Sequence, residues 1–175
     1  MRVIGGTARG RALRAPLPPG VRPTTDFARE AIFSMLESRG GLVGLTVADL
    51  YCGSGAMGIE ALSRGAAHVY FVDADPACLA ATQANLEPLH LEGEATFVRA
   101  SLPAWRAPGD LDLVLADPPY GEFDVATLLA SAPAPRVVIE NDRFADAPTG
   151  WVVAKTKRYG TTLVTMVERV GGDAA

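Results

Sequence analysis

Five short apolar runs, spaced by stretches suited to helices or turns, leave this chain few folds to choose from. They read LTVADLY (45–51), HVYFVDA (68–74), EATFVRA (94–100), LDLVLAD (111–117) and RVVIEN (136–141), with helical patterns near 57–64, 76–87 and 123–131. Strands joined through helices run parallel and need cover on both faces, which predicts a layered α/β fold. The last two β-rich runs, WVVAKTKRYG and TTLVTMVER, differ because little more than Tyr159-Gly160 separates them. A parallel crossover takes a dozen residues or more, so this pair is antiparallel and one reversed strand lies at or near a sheet edge.

Ahead of Leu45 the character changes. APLPPGVRP resists regular structure, and TTDFAREAIFSMLESRGG then reads as a helix capped by Thr25 or Asp26 and stopped by Gly40-Gly41. Ala28, Ile32 and Met35 or Leu36 form its apolar stripe, and RVIGG can pair with RALRA as a small hairpin. The chain is accordingly divided into a basic arm and helix (1–40) and an α/β domain (41–175). Its 175 residues suffice for one buried core, and no run approaches the ~20 apolar residues that span a bilayer. MRVIGGTARGRALRAP lacks the continuous apolar core of a secretory signal, so a cytoplasmic protein is expected. Cys52 and Cys78 stand far apart with no metal-ligand spacing, so neither a disulfide framework nor a metal is expected, and nothing demands more than a monomer.

A net charge of −4 conceals an asymmetry: residues 1–39 hold seven arginines against three acids, leaving −8 on the remainder. A basic arm on an acidic body suits a protein that touches a polyanion with one segment, although a solvated tail has the same composition.

The first strand opens into Gly53-Ser54-Gly55-Ala56-Met57-Gly58, a glycine pattern that lets backbone approach an adenosine-containing cofactor. Charge selects among such cofactors. Asp49, four residues before the first glycine, would repel a pyrophosphate, whereas S-adenosylmethionine brings a sulfonium and an ammonium that a carboxylate attracts. Asp73 ends the second strand, where an acid can accept both ribose hydroxyls. Tyr51, Ser54 and Ala74 flank these positions, and Asp75-Pro76 is the better helix cap. The third strand ends on Arg99-Ala100-Ser101 with no acid, so adenine is left to backbone and apolar groups, with Ser101 a minor contact.

The fourth strand ends on Asp117-Pro118-Pro119-Tyr120. In an open parallel sheet the first and fourth strands are neighbours where strand order reverses, and ligands bind there. An exocyclic base amine is a poor nucleophile because its lone pair is delocalised into the ring. The Asp117 carboxylate and Pro118 carbonyl, each accepting one of its N–H bonds, would orient it and raise its electron density. Pro119 stiffens the turn, and Tyr120 can stack on an extruded base. Three rivals stand beside this reading. They are a methyltransferase for adenine N6, cytosine N4 or protein glutamine, an NAD-dependent oxidoreductase, and an RNA-binding module without catalysis. Asp49 disfavours the second, and intact Asp117 and Tyr120 disfavour the third.

MRVIGGTARGRAL, RPTTDFAREAIFSML, DLYCGSGAMGIEALSRGA and DLVLADPPY together resemble the RsmD family, the bacterial 16S ribosomal RNA guanine-N2 methyltransferases. The resemblance spans nearly the whole chain. It implies a Rossmann-like class I methyltransferase fold with seven strands, S-adenosylmethionine as donor, and a guanine amino group in small-subunit rRNA as acceptor, with an assembled or partly assembled subunit as partner. By position it implies that Asp49, Gly53, Gly55 and Asp73 bind cofactor and that Asp117, Pro118 and Tyr120 hold the guanine. The arginine-rich arm, with Arg22, Thr24 and Thr25, would contact RNA or close over the site. Cys52 is a packing residue in this reading. Arg29 and Glu30 can pair internally or face RNA.

Guanidinium groups bond phosphate with paired donors and stack on bases. Neutralising Arg9, Arg11 and Arg14 is therefore expected to weaken RNA binding and flatten its salt dependence while cofactor affinity holds. Filter binding across a salt series measures this, and an unchanged RNA affinity would remove the arm from the interface.

Overall fold

The computed structural model describes residues 1–16, 25–119, 124–143 and 146–171. Its elements are α1 (Asp26–Glu37), β1 (Thr46–Leu50), α2 (Ala56–Ser63), β2 (His68–Asp73), α3 (Pro76–Leu86), β3 (Glu94–Arg99), β4 (Leu113–Ala116), α4 (Val125–Ser131), β5 (Arg136–Asn141), β6 (Trp151–Tyr159) and β7 (Thr162–Arg169). The seven strands form one sheet in the order β3-β2-β1-β4-β5-β7-β6. β7 runs antiparallel to both neighbours, and the other pairings are parallel. The expected α/β class, seven strands and single reversed strand are all present.

Alternation along the buried strands divides the core into two layers. Val47, Leu113, Leu115 and Val138 join residues of α1 and α2, including Ile32, Phe33, Leu36, Ile59 and Leu62. Ala48, Leu50, Val114, Ala116, Val137 and Ile139 point the other way, against Leu128 and Leu129 of α4 and against Trp105. Asp49 therefore shares the α2 side of the sheet with Val47. Among the described residues no helix is long and apolar enough to cross a membrane.

Helix α1 is capped as its sequence requires: the Thr25 hydroxyl accepts from the Ala28 amide at 3.2 Å. Arg29 is wholly buried and pairs within the helix with Asp26, at 2.7 Å, while also donating to the Arg2 carbonyl at 2.6 Å. Glu30 stays exposed on the opposite flank.

The N-terminal hairpin is reduced to one antiparallel bridge between Arg2 and Ala12. It is also far from a loose tail. Val3, Ala8 and Leu13 are buried in the same layer as Ile32 and Phe33. The fully buried Glu60 carboxylate of α2 accepts from the amides of Ile4 and Gly5, each at 2.7 Å, and from Arg64 Nε at 2.8 Å. Ser63 adds two bonds, its hydroxyl accepting from Ala8 at 2.9 Å and donating to the Gly5 carbonyl at 2.6 Å. A charged acceptor bonded to three donors makes a strong clamp. Glu60→Ala removes the acceptor of three half-buried donors, of which Arg64 alone keeps another partner in Glu37, so it is expected to lower unfolding free energy by about 1.5–3 kcal/mol. Urea denaturation measures the loss, and early proteolysis near residues 1–16 would locate it.

Candidate active site

The chain lays β1, β2 and β3 outward in one direction and then returns to place β4 on the other side of β1. The carboxyl ends of β1 and β4 flank that reversal, the place where open parallel sheets bind their ligands. The Asp117 amide donates to the Leu50 carbonyl at 3.3 Å, continuing the β1–β4 ladder one residue past Ala116. Asp117 is half-buried, Pro118 buried and Pro119 exposed. Tyr120, Arg22 and Thr24 lie outside the described residues.

The loop from β1 to α2 is held from three sides. Asp49 Oδ2 accepts from the Gly58 amide at 2.8 Å, tying the strand end to the first turn of the helix. Gly55 has φ +74° and lies so near Thr82 that an added Cβ would sit 2.3 Å from its methyl group. Gly58 packs with equal closeness on the Phe71 ring of β2. Tyr51 adopts φ +59°, a costly conformation for a residue with a side chain and one typical of ligand sites.

Asp73 is more occupied than its place at a strand end suggests. Its Oδ2 accepts from the Gly53 amide at 3.0 Å and its Oδ1 from the Asp75 amide at 2.9 Å. Each carboxylate oxygen has a second lone pair, so both remain able to accept a ribose hydroxyl. Asp75 caps α3 as expected, accepting from Ala77 at 2.8 Å. Ala74 is exposed beside them. The Ala100 amide donates to the Asp73 carbonyl at 3.0 Å, which brings the exposed Ser101 to the same rim.

Electrostatics bind these positions into one site. Burial drives the Asp49 carboxyl well above the usual carboxylate range, the Gly58 bond opposes this, and the nearby charges of Asp117 and Asp73 raise it further. Both named charges are negative, a donor set that welcomes a cation and repels a pyrophosphate. The residues thus fit S-adenosylmethionine, whose sulfonium and ammonium would supply the missing positive charge. Cys52 is buried, and desolvation raises its thiol so far that no useful thiolate forms, which agrees with a packing role. Among the described residues no group of His, Cys, Asp and Glu is arranged to hold a metal ion.

Two residues of this site escaped the sequence reading. Thr82 donates from its hydroxyl to the Gly53 carbonyl at 3.1 Å, and Asn85 Nδ2 donates to the Ser54 carbonyl at 3.0 Å. Asn85 Oδ1 also accepts from the Ala15 amide at 2.8 Å, so one side-chain amide joins the arm to the glycine loop. The signal was available: Cys78, Ala81, Thr82 and Asn85 form the buried stripe of α3, and two polar residues on such a stripe need partners. Of the arm's arginines, Arg9, Arg11 and Arg14 are all exposed, and Arg11 also donates to the Pro88 carbonyl at 2.8 Å. Arg11 thus serves the docking of the arm as well.

Sheet order, reversed β7 and a carboxylate-lined switch point define a class I S-adenosylmethionine-dependent methyltransferase. The same fold occurs in magnesium protoporphyrin IX methyltransferase from Synechocystis, solved with bound SAM, at 18% identity and a TM-score of 0.65 over 85% of this chain and 86% of that one. The chain belongs to the family described as Conserved hypothetical protein 95, which it matches over residues 1–168. It is 36% identical to "Putative rRNA methyltransferase YlbH" of Bacillus subtilis, over 98% of this chain and all of that protein. It is 38% identical to Ribosomal RNA small subunit methyltransferase D of Escherichia coli, across 69% of this chain and 60% of that one. Among solved structures, "Putative methyltransferase yhhF" from Escherichia coli superposes with a TM-score of 0.80 at 28% identity, covering 97% of each chain.

The raised Asp49 has a pH signature. Its protonated form is favoured by folding, so its contribution to stability is complete below the unfolded pKa of about 3.9 and is lost as pH rises through the folded value. Asp49→Asn keeps an acceptor for Gly58 and removes the charge. The variant is expected to melt above the parent at neutral pH, with the gap closing below about pH 4, and to bind S-adenosylmethionine more weakly. Thermal unfolding across pH, together with calorimetric titration of the cofactor, tests both halves.

Proposed function

We propose that this methyltransferase transfers a methyl group to the N2 amino group of a guanine in 16S rRNA of the small ribosomal subunit. The observation that carries the reading is the junction of Asp117 with the end of β1, which brings its charge to bear on Asp49 at the switch point. The names of the relatives, an rRNA methyltransferase and a small-subunit rRNA methyltransferase, support RNA as the acceptor.

S-adenosylmethionine supplies, when bound, an electrophilic methyl group on sulfur. Asp49, Tyr51, Gly53, Ser54, Gly55, Asp73, Ala74 and Ser101 would hold it, with Asp73 on the ribose. The Asp117 carboxylate and Pro118 carbonyl accept the two N–H bonds of the guanine amine and aim its lone pair. As nitrogen bonds to carbon and the carbon–sulfur bond breaks, Asp117 stabilises the positive charge growing on nitrogen. The extra proton then leaves through Asp117 to solvent. Pro118 and Pro119 supply no amide donors, so no competing backbone hydrogen bond pulls on the acceptors. In this reading Tyr120 stacks on the extruded base, with Arg9, Arg11, Arg14, Arg22, Thr24 and Thr25 along the RNA.

Incubation of unmethylated small subunits with labelled donor, followed by nucleoside analysis, tests the assignment. N2-methylguanosine is expected, and N6-methyladenosine, N4-methylcytidine or label in protein would overturn it. Asp117→Ala is expected to lower kcat by about 10²–10³-fold with a far smaller change in cofactor affinity. Undiminished turnover would place the chemistry elsewhere.

A further inference from the structure

We infer that the edge strand β6 carries a second RNA-contact surface, a basic and aromatic track for single-stranded RNA leading to the site. This rests on the RNA reading above and adds a surface whose basic residues are remote from the arm in sequence. The track is Lys155, Lys157 and Tyr159, with Phe27 of α1 beside them and Arg158 around the edge.

Its construction begins with a β-bulge. The β6–β7 register slips between Val153 and Lys155, after which Lys155 lies opposite Met166, Lys157 opposite Val164 and Tyr159 opposite Thr162. Met166 and Val164 belong to the core layer beneath α1, so the slip turns both lysines onto that face. Without it Ala154 would take that place. Alternate residues on a strand are about 7 Å apart, which gives an evenly spaced row of two cations and a ring. Lys157 and Arg158 are exposed, and none of the three basic residues makes an ion pair among the described residues. The acid of this hairpin, Glu168, is at the far end opposite Val152, engaged by Arg39 and Arg136.

The aromatic component is equally placed. Phe27 lies off the buried stripe of α1, is 69% exposed, and meets Tyr159 edge-on with ring centroids 5.5 Å apart. A large exposed ring beside unpaired cations offers what an unpaired RNA strand needs: charge for phosphate and a face for a base.

Direction completes the case. β6 runs parallel to β5, so Lys157, Arg158 and Tyr159 lie at the same end of the sheet as Asp49 and Asp117. Ala116 pairs with Ile139, Glu140 with Val164, and Val164 with Lys157, which puts Asp117 and Lys157 in one row. Three strand spacings separate them, about 14 Å, a span that a few nucleotides flanking the target cover. β5 runs on into exposed Asp142 and Arg143, whose charges offset each other.

Lysines on an edge strand also discourage strand-to-strand aggregation. Charge reversal separates the two roles, because glutamate protects an edge as lysine does yet repels RNA. The test uses the full chain with a fluorescent oligouridylate and with unmethylated small-subunit rRNA, over a salt series. Lys155→Gln/Lys157→Gln is expected to reduce the log–log salt slope by about 1.4, from about 0.7 per single-strand phosphate contact. Lys155→Glu/Lys157→Glu should weaken binding further while staying monodisperse, Lys157→Arg should bind like the parent, and Phe27→Ala should lose at least about fivefold. Cofactor affinity should not move in any of them. A parental salt slope in the glutamine variant, or parental affinity in the glutamate variant, overturns the track while the arm variants still report on the RNA reading. A parent that binds neither RNA takes down both.

Discussion

The Gly58 amide donates to a buried carboxylate, Asp49, across 2.8 Å, and in doing so fastens the first turn of α2 to the end of β1. The intervening residues have no freedom left. Tyr51 is driven into a left-handed conformation, Gly55 is pressed against Thr82, and the Gly53 amide is delivered to Asp73. Ionising a carboxyl group in such surroundings is costly, and the nearby charges of Asp117 and Asp73 raise the cost. The three acids thus give the switch point a charge of the sign that suits a sulfonium group.

The same helix that begins at this loop ends as the foundation of the N-terminal segment. Glu60 and Ser63, within the last turns of α2, take hold of residues 4–8 by their backbone, and Val3, Ala8 and Leu13 complete the core from outside. The arginines at Arg9 and Arg14 project from a scaffold built into the methyltransferase layer, so their positions relative to the site are set by packing as well as by chain connectivity.

Much of this was legible in the sequence. Short apolar runs alternating with helical patterns, the short Tyr159-Gly160 link and three strands ending on acids foretold the sheet, its reversed strand and the convergence of Asp49, Asp73 and Asp117. What stayed hidden has a common physical origin. Glu60, Thr82 and Asn85 bond to backbone groups 29 to 70 residues away, and a backbone partner leaves no mark on residue type. Their only trace was a polar side chain on a buried helix stripe. The docking of the arm was invisible likewise, because Ile4, Gly5 and Ala8 are held through amides that any residue but proline would offer. The β6 bulge left no pattern at all: Lys-Thr-Lys-Arg-Tyr reads as ordinary alternation, and only the register reveals which members share a face.

Asn85 touches the Ala15 amide with its oxygen and the Ser54 carbonyl with its nitrogen. One rigid amide group cannot turn toward either partner without leaving the other, so the N-terminal segment and the glycine loop share a mechanical pivot. Were a ligand to order either element through this pivot, thermodynamic reciprocity would require a ligand of the other element to feel an equal coupling.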